Sequence, residues 1–586
     1  MTLADAPNIN HLWATLMIEE LIRNGVNYFC IAPGSRSAPL TTAVALNKKS
    51  QSLVHFDERG LGFHALGYTS AKAKACCIIT TSGTAAANLF PAIIEASKKK
   101  LPLIILTADR PAELRHTGAH QTIDQVKLYG EYVRWHFDMP VPNIEINPEF
   151  VLTTVDQAVH QATSSMKGPV HINCMYREPL APLKIKNNFS SYLSTLQAWL
   201  KSDRCYTYYT TPCHHIGKHD IETVVLEISK IKIGIIGGGK LSADEQPHVL
   251  KLAEKLNWPV FPDTVSGLRL GDTHRHVIHY FDQILLSEKS LNEQPDGILH
   301  LGGRLTSKRW YQFIERVKPN HYMTVLNHPL RNDPLHRVTT RIQAPVGEFC
   351  QIIEKQVSKR KPLPYLSRLA AINKKIHDLL CQNFEANENL TEPMVARIIT
   401  EQIPKNFGLF LSNSLPIREI DMYASNEHNK VSIASNRGAS GIDGTVASAA
   451  GFSKGIDQPV ILFIGDLALL HDLNSLAMFK EPEKPNVIIV LNNNGGGIFS
   501  FLPIAQFENI FERYFATPHG LEFSAVAQMF SLNYSQPKTK TQFARAFENA
   551  LNTKITTLIE VMTHRALNVK IHKKMQKEII SMINKF

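Results

Sequence analysis

Two apolar runs in the last third of the chain end in residues suited to holding ions rather than to packing. Ile461-Leu-Phe-Ile-Gly-Asp-Leu467 breaks off at Asp466, and Val487-Ile-Ile-Val-Leu-Asn-Asn-Asn-Gly-Gly-Gly-Ile498 breaks off at three asparagines and three glycines. A short apolar run closed by polar residues reads as a strand buried on both faces of a parallel sheet. The gap from Asp466 to Asn493 exceeds the roughly dozen residues of a βαβ crossover, so the two strand ends can stand side by side. The carboxylate of Asp466, the amide oxygen of Asn493 and the carbonyl of Gly495 would then converge on one hard cation. Magnesium, or manganese, takes such oxygens and completes its shell with phosphate oxygens and water. The glycines let backbone approach a diphosphate, whose charge nearby helix N-termini favour. An aspartate at a strand end is by itself more often a turn or helix cap; the asparagines at this spacing give it a second meaning.

Those strand ends need sheets to carry them. The 586 residues suggest about three domains, each able to bury a core. We place them at 1–185, 186–375 and 376–586. In the first, a helical period over Leu12–Arg23 leads to a strand at Tyr28–Ala32 and the turn Pro33-Gly-Ser-Arg-Ser37. A strand at Leu53–Phe56 follows, ending in Asp57-Glu58. Then come a helix over Gly60–Tyr68, a strand at Cys76–Thr80, the loop Ser82-Gly-Thr84, a helix over Ala85–Ala96 and a strand at Pro102–Thr107. This alternation predicts a parallel sheet covered on both faces, with function at the C-terminal strand ends. Residues 186–225 are polar and read as a linker. A second α/β region opens with Lys232-Ile-Gly-Ile-Ile-Gly-Gly-Gly239. Its glycines lack the full spacing and the acidic partner of a dinucleotide fingerprint, so a tight strand-to-helix turn at Gly237–Gly239 is expected. A charged helical stretch over 346–385 joins the third region, which resumes at Pro393 and includes a strand at Leu409–Leu411.

Composition narrows the class. Hydrophobic residues make up 44% and charged ones 20%, as in an ordinary folded protein rather than a disordered one. The first ten residues lack a basic start and apolar core, and no run approaches the roughly 20 apolar residues of a membrane span, so a cytoplasmic enzyme is expected. Eight cysteines, scattered singly apart from Cys76-Cys77, form no disulfide framework. Cys205, Cys213, His214 and His215 match no zinc spacing. The charge of +11 is spread along the chain without aromatic interleaving, so no nucleic-acid partner is expected. A positive field that draws small polyanions into a cleft is the reading we prefer.

The Gly465-Asp466 pair and its distant asparagines resemble the diphosphate-binding signature of thiamin-diphosphate enzymes, although most of that family carry glycine where this chain has Leu467. The resemblance implies three doubly wound parallel-sheet α/β domains, with thiamin diphosphate divided between a pyrimidine-binding and a diphosphate-binding one. By position Glu58 is the glutamate that hydrogen-bonds N1′ of the aminopyrimidine and drives formation of the thiazolium ylid. Thr81-Ser-Gly-Thr-Ala-Ala-Ala-Asn88 is similar to the cofactor-facing loop, assigning Ser82, Gly83 and Thr84 to the cofactor. Ile442 would prop it in its bent shape.

Further strings narrow the resemblance to a branch serving menaquinone biosynthesis, and here the departure at Leu467 is shared. They are Ala32-Pro-Gly-Ser-Arg-Ser-Ala-Pro-Leu40, Asp57-Glu-Arg-Gly60, Leu106-Thr-Ala-Asp-Arg-Pro111, Ser412-Asn-Ser-Leu415 and Ser435-Asn-Arg-Gly-Ala-Ser-Gly-Ile-Asp-Gly444. The branch decarboxylates 2-oxoglutarate and adds the resulting carbanion to isochorismate in a 1,4 sense. Both substrates are dicarboxylates, which the planar fork of arginine suits. The resemblance assigns Arg36, Arg110, Arg418, Arg437 and Lys308 to the substrate carboxylates, and Ser35, Gln121 and Ser414 to polar substrate contacts. It also implies a homodimer or homotetramer with active sites between subunits. Two departures stand out: His120 where relatives carry asparagine, and Gly497 where they can carry a polar side chain. The rival readings are an acetolactate-synthase-like carboligase, which needs a small apolar acceptor pocket rather than several arginines, and a non-catalytic nucleotide-binding module built on the central glycines.

Overall fold

Every paired strand in the structure runs parallel to its neighbours, so each connection must cross over a sheet face rather than turn back on itself. The structure is a computed structural model that describes residues 3–185, 188–211, 215–290, 294–480 and 484–586. Among them are three parallel sheets, in keeping with the expected fold class. The chain forms two compact units: one comprises Met1–Pro212, Asn436–Gln458 and His471–Phe479, the other the remaining segments.

The first unit holds a sheet of β1 (Tyr28–Ile31), β2 (Gln51–Val54), β3 (Cys76–Thr80), β4 (Leu103–Asp109), β5 (His136–Met139) and β6 (Pro169–Met175), in the order β2-β1-β3-β4-β6-β5. Alternate residues feed opposite faces, as the strand period of two requires. Phe29, Ile31, Cys77, Ile79, Ile104 and Leu106 lie in one apolar core, while Tyr28, Cys30, Cys76, Ile78, Leu103 and Ile105 lie in the other. The chain reverses its direction of travel between β1 and β3, the crevice position where open α/β sheets bind ligands. Loops 32–37 and 81–83 leave the sheet there.

Within this unit the helices Glu58–Lys72 and Thr445–Ile456 press backbone against backbone. A Cβ on Gly67 would stand 2.0 Å from the carbonyl oxygen of Ser448, and one on Gly451 2.0 Å from that of His64. Only glycine permits so close an approach.

The second unit contains two sheets. β7 (Gly234–Gly238), β8 (Val260–Pro262), β9 (Gly297–Leu301), β10 (His321–Leu326) and β11 (Thr340–Gln343) are ordered β11-β10-β9-β7-β8. β12 (Gly408–Leu411), β13 (Ile433–Ser435), β14 (Val460–Gly465), β15 (Val487–Asn492), β16 (Asn533–Ser535) and β17 (Thr557–Met562) are ordered β13-β12-β14-β15-β17-β16. One apolar core includes Ile235, Phe261 and Ile298 of the former sheet and Leu409, Phe463 and Ile489 of the latter.

Several local expectations shift. The strand read at Leu53–Phe56 is Gln51–Val54, because Asp57 accepts the N–H groups of Arg59 and Gly60 and starts the next helix at Glu58. The helix read over Ala85–Ala96 is broken at Leu89 into Thr84–Asn88 and Phe90–Lys99. Pro91 accounts for the break, since it lacks an N–H and belongs in a first helical turn. Part of the polar stretch read as a linker is docked: Phe189, Leu193, Leu196 and Trp199 are buried in the first unit's core, and the Trp199 indole donates to Glu20 at 2.6 Å. Gly239 stands at a close approach of loops rather than beside a helix. Its N–H donates to Leu301, a Cβ there would lie 2.0 Å from the Gly303 carbonyl, and the helix begins only at Gln246. Of the four zinc candidates, Cys213 and His214 lie outside the described residues, while the His215 ring bonds Glu348 at 2.6 Å. No helix among the described residues is long and apolar enough to cross a membrane.

Candidate active site

The candidate residues fall into two groups, one in each unit. In the second unit, β14 and β15 are direct neighbours with Gly465 opposite Leu491, so their C-terminal ends lie together. Asp466 follows β14 as the first residue of the helix Asp466–His471 and is buried. Its Oδ1 accepts the N–H of Leu467 at 2.7 Å, and its Oδ2 accepts the N–H of Gly495 at 2.8 Å. The ring of His519 also reaches Oδ2, at 3.1 Å from Nε2. Since the Leu521 N–H donates to Nδ1 of that ring, Nε2 carries the proton and is the donor.

Asn493 is buried just beyond β15. Its Nδ2 donates to Glu392 at 3.0 Å, whereas its buried Oδ1 has no hydrogen-bond partner among the described residues. An acceptor left so costs about 1–3 kcal/mol, and a cation relieves that cost. Gly495 sits at φ +129°, and a Cβ there would stand 2.0 Å from the carbonyl of Ala516; no other residue fits. Asn494, at φ +60°, accepts the N–H groups of His519 and Gly520 on its side-chain oxygen, and Asn492 donates to Leu521 and Glu560. The 516–523 loop is thus fastened to the asparagine loop. Among the described residues no three His, Cys, Asp or Glu side chains gather to hold a metal ion. The donors assembled here are instead one carboxylate, one amide oxygen and backbone, the set that suits magnesium.

β12 lies beside β14, and the turn after it carries Ser414 in a left-handed conformation, φ +73°. Arg418, one helical turn on, donates to the Ser414 carbonyl at 2.6 Å. Lys308 is exposed in the first turn of the helix Lys308–Val317, and its neighbour Arg309 is paired with Asp282.

In the first unit Glu58 opens the helix Glu58–Lys72, half-buried, and accepts from Asn88 at 3.4 Å. Ser82, Arg110 and Gln121 are joined directly. Arg110 donates to the Ser82 hydroxyl and to the Gln121 carbonyl, and the Gln121 amide donates to the Ser82 carbonyl at 3.1 Å. Burial, and next the charge of Arg36, lower the Arg110 pKa, while Asp109 and Glu178 oppose the shift. Arg36 donates to the Tyr176 carbonyl at 2.9 Å and pairs with Glu178 at 3.4 Å, and its buried Nε has no partner among the described residues. The Gly83 N–H is taken by the buried Gln125 side chain at 2.8 Å. Ser35, Thr84 and His120 are exposed. Arg437 and Ile442 belong to the segment that Glu95 fastens, its buried carboxylate accepting the N–H groups of Gly438, Ala439 and Ser440. Ile442 itself is 37% exposed, an apolar side chain open to a ligand.

Known proteins with this organisation decide the family. Residues 13–128 match the N-terminal binding domain of thiamine pyrophosphate enzymes, 190–411 the middle domain and 420–561 the C-terminal binding domain. A protein of Rubrobacter xylanophilus named 2-succinyl-5-enolpyruvyl-6-hydroxy-3-cyclohexene-1-carboxylate synthase is 42% identical over 97% of this chain and 98% of its own length. Proteins of the same name from Salinibacter ruber and Prosthecochloris aestuarii are 40% and 39% identical, each over 98% of this chain and 97% and 98% of their own lengths. This chain belongs to the 2-succinyl-5-enolpyruvyl-6-hydroxy-3-cyclohexene-1-carboxylate synthase family.

A member of this synthase family is a thiamin-diphosphate-dependent enzyme, and the geometry adds residues that the sequence reading passed over. Glu392 holds Asn493, His519 holds Asp466, Gln125 holds Gly83, Asn88 reaches Glu58, and Glu95 fastens the loop of Arg437. Asn88 lay within a quoted string. The others are separated from their partners by long stretches of chain, and no local pattern marks them.

Proposed function

We propose that this chain decarboxylates 2-oxoglutarate with thiamin diphosphate and adds the remaining four-carbon unit to isochorismate. The products are 2-succinyl-5-enolpyruvyl-6-hydroxy-3-cyclohexene-1-carboxylate and carbon dioxide, a step of menaquinone biosynthesis. The observation that carries the site reading is the buried Oδ1 of Asn493, without a partner among the described residues and placed with Asp466 at the ends of adjacent strands.

Asp466, Asn493 Oδ1 and the Gly495 carbonyl would hold Mg2+ or Mn2+, and through it the diphosphate. Thiamin diphosphate supplies, when bound, a carbon nucleophile and an electron sink for the bond to the departing carboxylate. Glu58 would hold and exchange a proton on its carboxyl at the pyrimidine end, Ser82, Gly83 and Thr84 would line that end, and Ile442 would support the cofactor with an apolar side chain. Arg36, Arg110, Arg418, Arg437 and Lys308 neutralise the substrate carboxylates, with Ser35, Gln121 and Ser414 giving hydrogen bonds that fix orientation. The working form in this proposal is a homodimer or homotetramer in the cytoplasm, with active sites formed between subunits.

Calorimetry separates the two kinds of site. Asp466→Ala should abolish metal-dependent binding of thiamin diphosphate. Arg418→Ala should leave that affinity unchanged and raise the substrate KM steeply. The reverse pattern contradicts both assignments.

A further inference from the structure

The metal reading of Asn493 leaves one question of chemistry open to geometry: what decides which end of a near-symmetric amide faces the cation? Asn493 is buried, and its Nδ2 donates to Oε1 of Glu392 at 3.0 Å. Glu392 is itself 1% exposed, at the first position of the helix Glu392–Gln402. Its Oε1 also accepts the Thr563 hydroxyl at 2.9 Å, while its buried Oε2 has no partner among the described residues. Two donors converge on Oε1, so that oxygen stays an acceptor whether or not the carboxyl is protonated, any proton residing on Oε2. Turning the Asn493 amide over would set oxygen against oxygen in a buried site, which is strongly unfavourable. The nitrogen end is confined on another side as well, since a Cβ on Gly497 would stand 2.5 Å from Nδ2. One orientation remains, and it leaves Oδ1 as a buried acceptor with no donor among the described residues.

We propose that Glu392 is a positioning residue for the metal: it locks the Asn493 side chain with its oxygen turned to the cation, and Thr563 steadies the lock. Glycine at 497 keeps the space that this orientation occupies. The inference rests on Asn493 being a metal ligand, and its test separates the two ideas. Partners that orient a ligand contribute about 10–100-fold to metal affinity.

Binding of Mn2+ to the full chain with thiamin diphosphate present, followed by electron paramagnetic resonance, is the measurement. Asn493→Ala should lose high-affinity binding. Glu392→Gln, which keeps shape but can present either a donor or an acceptor, should weaken Mn2+ binding by about tenfold or more, while the number of sites filled at saturating Mn2+ stays that of the wild type. Wild-type affinity in Glu392→Gln alongside loss in Asn493→Ala overturns the inference. Wild-type affinity in Asn493→Ala overturns the metal reading and the inference with it. Should Glu392→Gln not fold, Thr563→Val removes one donor from the same oxygen and should weaken Mn2+ binding in the same direction; unchanged affinity there counts against the lock.

Discussion

At the scale of single residues, the chemistry depends on groups whose surroundings set their protonation or orientation. Glu58 sits half-buried at a helix start with Asn88 as the one hydrogen-bond donor to its carboxyl among the described residues, leaving an oxygen for a ligand proton. Glu58→Gln should therefore preserve folding and thiamin diphosphate binding yet abolish turnover; full activity in that variant removes Glu58 from the mechanism. A second residue tests the packing account through pH. His300 is buried on β9, its Nδ1 at 3.0 Å from the Tyr322 hydroxyl and its Nε2 at 2.9 Å from the Gly303 carbonyl, and burial lowers its pKa to about 4. Its ring stays neutral when folded but gains a proton near pH 6.5 when unfolded. The folded state thus loses about 1.4 kcal/mol per pH unit at this site as pH falls from 6.5 toward 4. The melting-temperature advantage of the wild type over His300→Gln should shrink between pH 7 and pH 5. A constant gap contradicts the assignment.

At the scale of elements, glycines mark where backbone must meet backbone. Gly451 lies in the helix Thr445–Ile456 where it crosses Glu58–Lys72, and an added Cβ meets the His64 carbonyl at 2.0 Å. Gly451→Ala should cost about 1–3 kcal/mol through overpacking and lower the melting temperature. Gly303→Ala, where an added Cβ meets nothing within 4 Å among the described residues, should leave it nearly unchanged. Elements of this kind were legible in the sequence to different depths. The strand Cys76–Thr80 and the ends of β14 and β15 were visible because a buried parallel strand is a continuous apolar run with a sharp polar stop. Strand β2 was displaced in the reading because it is an exposed edge, where little apolar pattern constrains the register. The break at Leu89 was missed because Pro91 reads equally well inside a first turn and inside a longer helix. Residues 189–199 looked like a linker because their four buried apolar side chains are diluted by polar ones.

At the scale of the molecule, all three sheets are parallel, and the first and third share one strand order with a change of direction after their second strand; the segments leaving the strands on either side of that change carry part of the predicted site. Loops 32–37 and 81–83 bring Arg36 and Ser82, loop 412–414 brings Ser414, and the helix that starts directly after β14 brings Asp466. That much followed from pattern and resemblance, since strand ends and glycine-rich turns are local features. The residues that hold them, such as Glu392 against Asn493 and Glu95 against Gly438, are pairings across the fold and become visible only once the strands are ordered. A formal charge of +11 and several arginines suit a reaction between two dicarboxylates. The most direct test is a mass balance on the purified protein with thiamin diphosphate, Mg2+, 2-oxoglutarate and isochorismate. The account predicts one carbon dioxide released for each ring adduct formed. Absence of carbon dioxide from 2-oxoglutarate with isochorismate present, together with release from pyruvate, would contradict it.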